Sequence, residues 1–167
     1  VAGLLAVLAA TCSRPALATG WVVGGSGLVI RSADGGQTWT SSSPATQTLN
    51  AVHFVSETVG WAVGNGGIVI KTANGGDTWS QTSPGLGNLN GVFFVDTDRG
   101  WVVGDAGKVL HTTNGGSSWT TSTPATVALY GVFFVDRNLG WAVGKGVVLR
   151  RSPDGSGSAR RGWQRCR

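Results

Sequence analysis

Apolar residues fall in short runs that return every 40 residues along this chain. The first unit, residues 20–59, opens GWVVGGSGLVIRSADGGQTW. The second, residues 60–99, opens GWAVGNGGIVIKTANGGDTW, and the third, residues 100–139, opens GWVVGDAGKVLHTTNGGSSW. A partial fourth, residues 140–149, begins GWAVGKGVVL. Each unit reads as four extended segments, in the second TVGWAVG, GIVIKT, DTWSQT and LNGVFFV, separated by Gly-rich or Pro-containing turns. β-Branched and aromatic residues fill these segments, as strands require. Alternation places Ile68 and Ile70 on one side and Val69 on the other, with Trp61 and Val63 opposite to Ala62. Both faces are apolar, so both must be covered. Four strands in one such repeat make a propeller blade, packed between neighbours. The expected fold is all-β: an incomplete propeller of four-stranded blades, about 3.5 of them. A horseshoe or β-helix is the other architecture at this period, but leucine-rich signatures are absent.

The most specific motif lies between the second and third segments of each unit. It comprises Ser32, Asp34, Gly35, Gly36, Thr38 and Trp39 in the first unit, and Thr72, Asn74, Gly75, Gly76, Thr78 and Trp79 in the second. In the third it comprises Thr112, Asn114, Gly115, Gly116, Ser118 and Trp119. An Asp or Asn side chain accepts nearby backbone N–H groups and closes an Asx-type turn. The glycines supply the positive φ that a tight hairpin needs. The hydroxyl binds the turn's other polar groups, and the Trp packs across the hairpin base with its N–H seeking a partner.

This pattern resembles the Asp-box, or bacterial neuraminidase repeat, which identifies architecture and not chemistry. The fuller unit, LNGVFFVDTDRGWVVGDAGKVLHTTNGGSSW, resembles the repeat of photosystem II stability/assembly factors and their bacterial relatives across residues 20–149. That resemblance implies a seven-bladed propeller in the thylakoid lumen or periplasm. It implies a non-enzymatic scaffold with no cofactor, whose protein partner is a photosystem II reaction-centre polypeptide or another membrane-protein segment. The repeat also occurs in exported proteins of non-photosynthetic bacteria, so the fold transfers better than the partner.

Enzyme chemistry finds little support. A sialidase-like glycoside hydrolase, the alternative that shares the Asp-box, needs an arginine triad, a Tyr nucleophile with a Glu partner and an acidic donor. Tyr130 is the single Tyr and stands in the column of Asn50 and Asn90; Glu57 is the single Glu. The acids recur at turn columns: Asp96 matches Asp136, and Asp105 matches Asn65. A truncated fragment without independent function is the further alternative. Cysteine and histidine are too few and too scattered for a metal site.

Charge and termini refine the picture. The net charge is +5, but six of the 13 basic residues lie in residues 150–167, and the rest of the chain is balanced. A nucleic-acid binder carries its basic stripe on the folded domain, so that partner is not expected. Residues 1–18 read as a signal peptide, an apolar run followed by Ala16-Leu17-Ala18, and imply a periplasmic, lumenal or extracellular location. Residues 150–167 read as a basic tail, disordered or produced by a shifted frame: the Trp spacing puts the next Trp at 159, where Ala159 stands. Arg31, Lys71 and His111 share one column before each Asp-box, with Arg151 near the same place in the fourth unit. They form a candidate basic arc for a partner's acidic segment. Open blade edges would favour self-association, for instance two half-propellers closing one ring.

Overall fold

The structure, a computed structural model, describes residues 18–85, 87–151 and 162–166. Of the expected signal peptide only Ala18 falls within the described residues. The chain divides into two compact units, Val1–Leu86 and Gly87–Arg167.

The first unit holds two antiparallel sheets. One contains β1 (Gly20–Val23), β2 (Val29–Ser32) and β3 (Thr40–Ser42). The other contains β4 (Leu49–Phe54), β5 (Gly60–Gly64), β6 (Val69–Thr72) and β7 (Ser80–Thr82), hydrogen-bonded in that order. The second unit repeats the design twice. Its first sheet is β8 (Leu89–Phe94), β9 (Gly100–Gly104), β10 (Val109–Thr112) and β11 (Thr120–Ser122). Its second is β12 (Leu129–Phe134), β13 (Gly140–Gly144), β14 (Val147–Arg151) and β15 (Trp163–Arg165).

These sheets correct the phase of the repeat. A unit read from residue 60 to 99 places LNGVFFV last, yet β8 pairs with β9, so that segment opens the following blade. The GW start was the more visible boundary because its motif is the less variable one. The hydrogen-bonded blade runs instead from the L-x-x-V-x-F strand to the strand after the Asp-box.

Each unit is held by one blade joint. In the first, Trp21, Val23 and Val29 pack against Leu49, Val52, Phe54, Ala62, Ile68 and Ile70. The Phe54 ring stacks on Trp21 at 3.6 Å between centroids and meets Trp79 edge-on at 6.0 Å. A Cβ at Gly60 would lie 2.5 Å from the Phe54 ring, which is why a glycine precedes the Trp of β5. In the second unit, Trp101, Val103 and Val109 pack against Leu129, Phe134, Ala142, Val147, Leu149 and Trp163. Phe134 stacks on Trp101, also at 3.6 Å. A buried aromatic pair of this kind is a large share of a small unit's stability, since each ring removes about 150–250 Å² from water.

The tail needs a second correction. Residues 152–161 and 167 lie outside the described residues, but Trp163–Arg165 is a strand, paired to β14 with Trp163 opposite Arg151. Trp163 is buried and meets Phe134 edge-on at 5.9 Å, as Trp119 meets Phe94 at 6.2 Å. It therefore fills the Asp-box Trp position of the fourth blade. The β13–β14 hairpin is shorter, with Val143 opposite Val148 where Val103 faces Val109. The connection from Arg151 to Trp163 is longer than that from Thr112 to Trp119. The shift moved the Trp away from 159, and the surrounding Arg, Gly and Ser hid a strand of only three residues.

Candidate functional site

The Asp-box turns are structural. Both glycines of each box are left-handed, with φ of 72° and 92° at Gly35 and Gly36, and 73° and 97° at Gly75 and Gly76. Gly115 and Gly116 follow at 67° and 90°. The first residue of each box is its buried polar group: Ser32, Thr72 and Thr112 are each 1% exposed. Their burial is tolerable because each hydroxyl is engaged twice. Ser32 Oγ accepts the Gly36 N–H (2.7 Å) and donates to Asp34 Oδ1 (2.8 Å). Thr72 and Thr112 do the same with Gly76 and Asn74, and with Gly116 and Asn114. Asp34 accepts both the backbone N–H and the hydroxyl of Thr38. In the other boxes the amide of Asn74 or Asn114 donates to Thr78 or Ser118 instead. Thr38's hydroxyl, followed by its N–H and the Ser32 hydroxyl, holds the Asp34 carboxyl at a pKa of about 2.

The Trp indoles differ. Trp39 and Trp79 donate to Gly36 O and Gly76 O at 3.0 and 3.1 Å, while buried Trp119 Nε1 has no hydrogen-bond partner. The box also joins blades: Trp21 Nε1 donates to Gly75 O at 3.0 Å. These groups are occupied in building the fold.

The acids at turn columns are occupied too. Asp96 accepts the N–H groups of Asp98 and Arg99, and Asp136 those of Asn138 and Leu139. The N–H groups of Asn138 and Leu139 hold the Asp136 carboxyl below its ordinary range. Burial opposes ionisation of Asp96, but the N–H groups of Arg99 and Asp98 and the charges of Arg137 and Arg99 outweigh it and lower its pKa. Asp105 accepts from Asn88 and Asn90.

The basic column lies directly across from the Trp column. Arg31 pairs with Trp21, Lys71 with Trp61 and His111 with Trp101. Arg31 is engaged in a 2.8 Å ion pair with Asp77, and the two help line a cleft of about 330 Å³. The Lys71 ammonium sits 5.2 Å from the Trp61 ring centroid. His111 stacks on Trp101 at 4.8 Å and 21°. In the fourth blade the shorter hairpin puts Arg150 opposite Trp141 and Arg151 opposite Gly140, so Arg150 and not Arg151 continues the column.

Arg151 has a different place. Its guanidinium lies 5.2 Å from the Trp101 ring and 5.9 Å from Phe134, and donates to Arg137 O at 3.3 Å. Two cavities share His111 and Arg151. One, of about 230 Å³, is lined by Trp101, Val109, His111, residues 120–122, Arg151 and Trp163. The other, of about 270 Å³, is lined by Arg99, His111, Arg137, Asn138 and Arg151. Asp96 lies 3.3 Å from Arg137 and 4.0 Å from Arg99. Two of the cleft's three guanidiniums thus share one carboxylate. Burial, then the charges of Arg151 and Arg99, lower the pKa of His111 and favour its neutral form. Burial also lowers that of Arg151. A cleft with excess positive charge, aromatic walls and hydroxyls suits a carboxylate attached to an apolar group. Arg99 and Arg137 escaped the sequence reading because their columns carry Val59 and Leu139, and Glu57 and Thr97, so no recurring signal marks them.

Hydroxyl–Asx turns, Trp–Phe joints and four-stranded antiparallel sheets together define this protein as a partial β-propeller of Asp-box blades. The model of the family described as photosynthesis system II assembly factor YCF48 matches residues 42–123, in line with the repeat resemblance. Among solved structures, YCF48 bound to D1 peptide is similar at 21% identity and a TM-score of 0.72, covering 98% of this chain and 56% of that one. YCF48 from Cyanidioschyzon merolae is similar at 21% identity and a TM-score of 0.70, covering 89% of this chain and 51% of that one. An ancestral GH74 enzyme reaches a TM-score of 0.75 at 18% identity, covering 99% of this chain and 24% of that one. The chain thus spans about half the length of the two YCF48 structures, and at these identities the likeness establishes the fold. No curated protein matches by sequence.

Proposed function

We propose that this chain is a non-enzymatic, exported scaffold that binds a polypeptide segment, in the manner of a photosystem II assembly factor. The observation that carries the reading is the cleft of Arg99, Arg137 and Arg151 beside Trp101, His111 and Trp163, on a fold similar to YCF48 bound to D1 peptide. Guanidiniums take a carboxylate by charge-assisted hydrogen bonds, and the aromatic walls take the apolar group beside it. Arg31 and Lys71 contribute less, because Asp77 and the Trp61 ring already engage them. The turn duties of Asp34, Asp96, Asp105 and Asp136 favour binding over glycoside hydrolysis. Export is supported by the apolar run and Ala16-Leu17-Ala18 near the start of the sequence.

Titration of a D1 peptide and of an unrelated acidic peptide, followed by fluorescence anisotropy, tests the reading. Arg99→Glu and Arg137→Glu should each weaken binding about tenfold or more, as loss of a charge-assisted contact does. Arg31→Glu should change it little. Unchanged affinity in the first two variants, or turnover of a β-glucan or sialoside that depends on one of the acids, overturns it.

A further inference from the structure

The third place in the basic column holds an imidazole where the first two hold an arginine and a lysine. Arg31, Lys71 and His111 lie opposite Trp21, Trp61 and Trp101. Among these side-chain types, only imidazole ordinarily exchanges its proton close to neutral pH. His111 is also a wall that both cavities of the cleft share, and it is only partly buried, so a ligand in either cavity meets it. Its ring stacks on Trp101, and its backbone carbonyl accepts the Thr120 hydroxyl at 3.0 Å, so the imidazole is already fixed in place. A ring held against an indole face gains attraction when it becomes a cation.

The groups that oppose that charge line the same cleft. Arg99 stands just before β9, Arg137 lies in the β12–β13 turn and Arg151 on β14, and all three line one cavity with His111. Asp96 is the carboxylate beside them, and Arg137 and Arg99 share it. β11 and β15 contribute Thr120–Ser122 and Trp163 to the other cavity, side chains that carry no charge. Burial, then Arg151 and Arg99, therefore hold His111 below its ordinary 6.5 in the chain alone. A partner that brings a carboxylate of its own turns this balance, because an anion beside an imidazole favours the imidazolium.

We propose that His111 couples partner binding to proton uptake, so that the cleft holds a carboxylate-bearing polypeptide more tightly in mild acid. This coupling rests on the cleft's being the polypeptide site. The proton comes from solvent and goes to an imidazole nitrogen, while the guanidiniums keep theirs. The imidazolium then joins them as a donor to the bound carboxylate. Because the carboxylate favours the protonated ring, the ring titrates higher in the complex than in the free chain. Affinity therefore rises as pH falls through the value in the complex and levels off below the value in the free chain. Carboxyls of a partner, with an ordinary pKa of about 4, stay ionised above about pH 5, which bounds the effect from below.

Anisotropy titration of the full chain with a carboxylate-bearing D1 peptide, at fixed ionic strength, tests the proposal. Affinity should rise about three- to tenfold from about pH 7.5 to about pH 5.5, as a difference of half to one pKa unit between complex and free chain requires. His111→Gln and His111→Lys, the second carrying the residue that Lys71 supplies to the column, should both lose this pH dependence. Unchanged tryptophan fluorescence certifies that the variants fold. In the wild-type chain the imidazole signals of His111, followed by NMR, should titrate higher with saturating peptide than without it. Those of His53, the other histidine, should not move. A peptide that binds through Arg99 and Arg137 with equal affinity at both pH values overturns the coupling and leaves the polypeptide reading in place. So does a pH dependence that persists in His111→Gln. No binding at either pH overturns both.

Discussion

The joint in the first unit and the joint in the second start from the same contact and finish differently. Both stack a Phe on the Trp of the preceding blade at 3.6 Å. At the rim of the first, Arg31 reaches forward to Asp77 of the next blade's Asp-box, and Gly75 of that box takes the Trp21 indole. At the rim of the second, His111 replaces the arginine and the guanidinium comes back from the other blade as Arg151. The first arrangement consumes its own charge. In the second, Arg99 and Arg137 share Asp96 and Arg151 lies against Trp101, around cavities that reach Trp101 and Trp163. The two rims thus differ by a histidine in the Arg31 column and a relocated arginine, while the core stays the same.

The shared core gives the largest expected effect. Phe54→Ala and Phe134→Ala should each destabilise their unit by about 3–5 kcal/mol in urea unfolding. A much smaller cost for Phe134→Ala would mean that the second joint is not held as the first is.

The rims should part company on acidification. His111 titrates in the folded chain below its ordinary 6.5, because burial and then Arg151 and Arg99 oppose its charge. The unfolded chain takes up the proton first, so stability should fall as pH drops below about 6.5 and continue falling until the folded pKa is passed. His111→Gln should flatten that part of the curve in thermal melts between pH 7 and 5. In the first joint Arg31 holds that column, so His111→Gln should leave the first unit's pH response unchanged, and a change there would erase the contrast.

A smaller difference is the Arg31–Asp77 pair itself. Asp77 is 68% exposed, so a double-mutant cycle should give a coupling of about 0.2–1 kcal/mol, declining with added salt. Smallest is the acid response of the first Asp-box. Asp34 is lowered from 3.8 to about 2, so its contribution is complete above 3.8 and disappears as pH falls through about 2. Asp34→Asn should remove that step, as Asn74 and Asn114 already do in the other boxes.

Sequence carried the blades and their turns well, because the same physical demand was met three times at fixed spacing. Gly35-Gly36, Gly75-Gly76 and Gly115-Gly116 are needed wherever the turn goes left-handed, and Gly60 wherever Phe54 crosses the strand. The basic column was visible for the same reason. What repetition could not show was the site, since a site departs from the repeat. Arg99 and Arg137 have no counterparts in their columns, and Arg151 reaches Trp101 only because the β13–β14 hairpin is shorter by one residue. Trp163 was hidden likewise, displaced from position 159 by a longer connection while keeping its spatial role.

The indole N–H signals of the eight tryptophans, followed by two-dimensional NMR during titration with a carboxylate-bearing D1 peptide, test the central claim most directly. Binding in the second unit's cleft predicts that Trp101 and Trp163 shift while Trp21, Trp39 and Trp79 stay in place. Shifts confined to Trp21 and Trp79, or no shifts at saturating peptide, would contradict the assignment of the cleft as the polypeptide site.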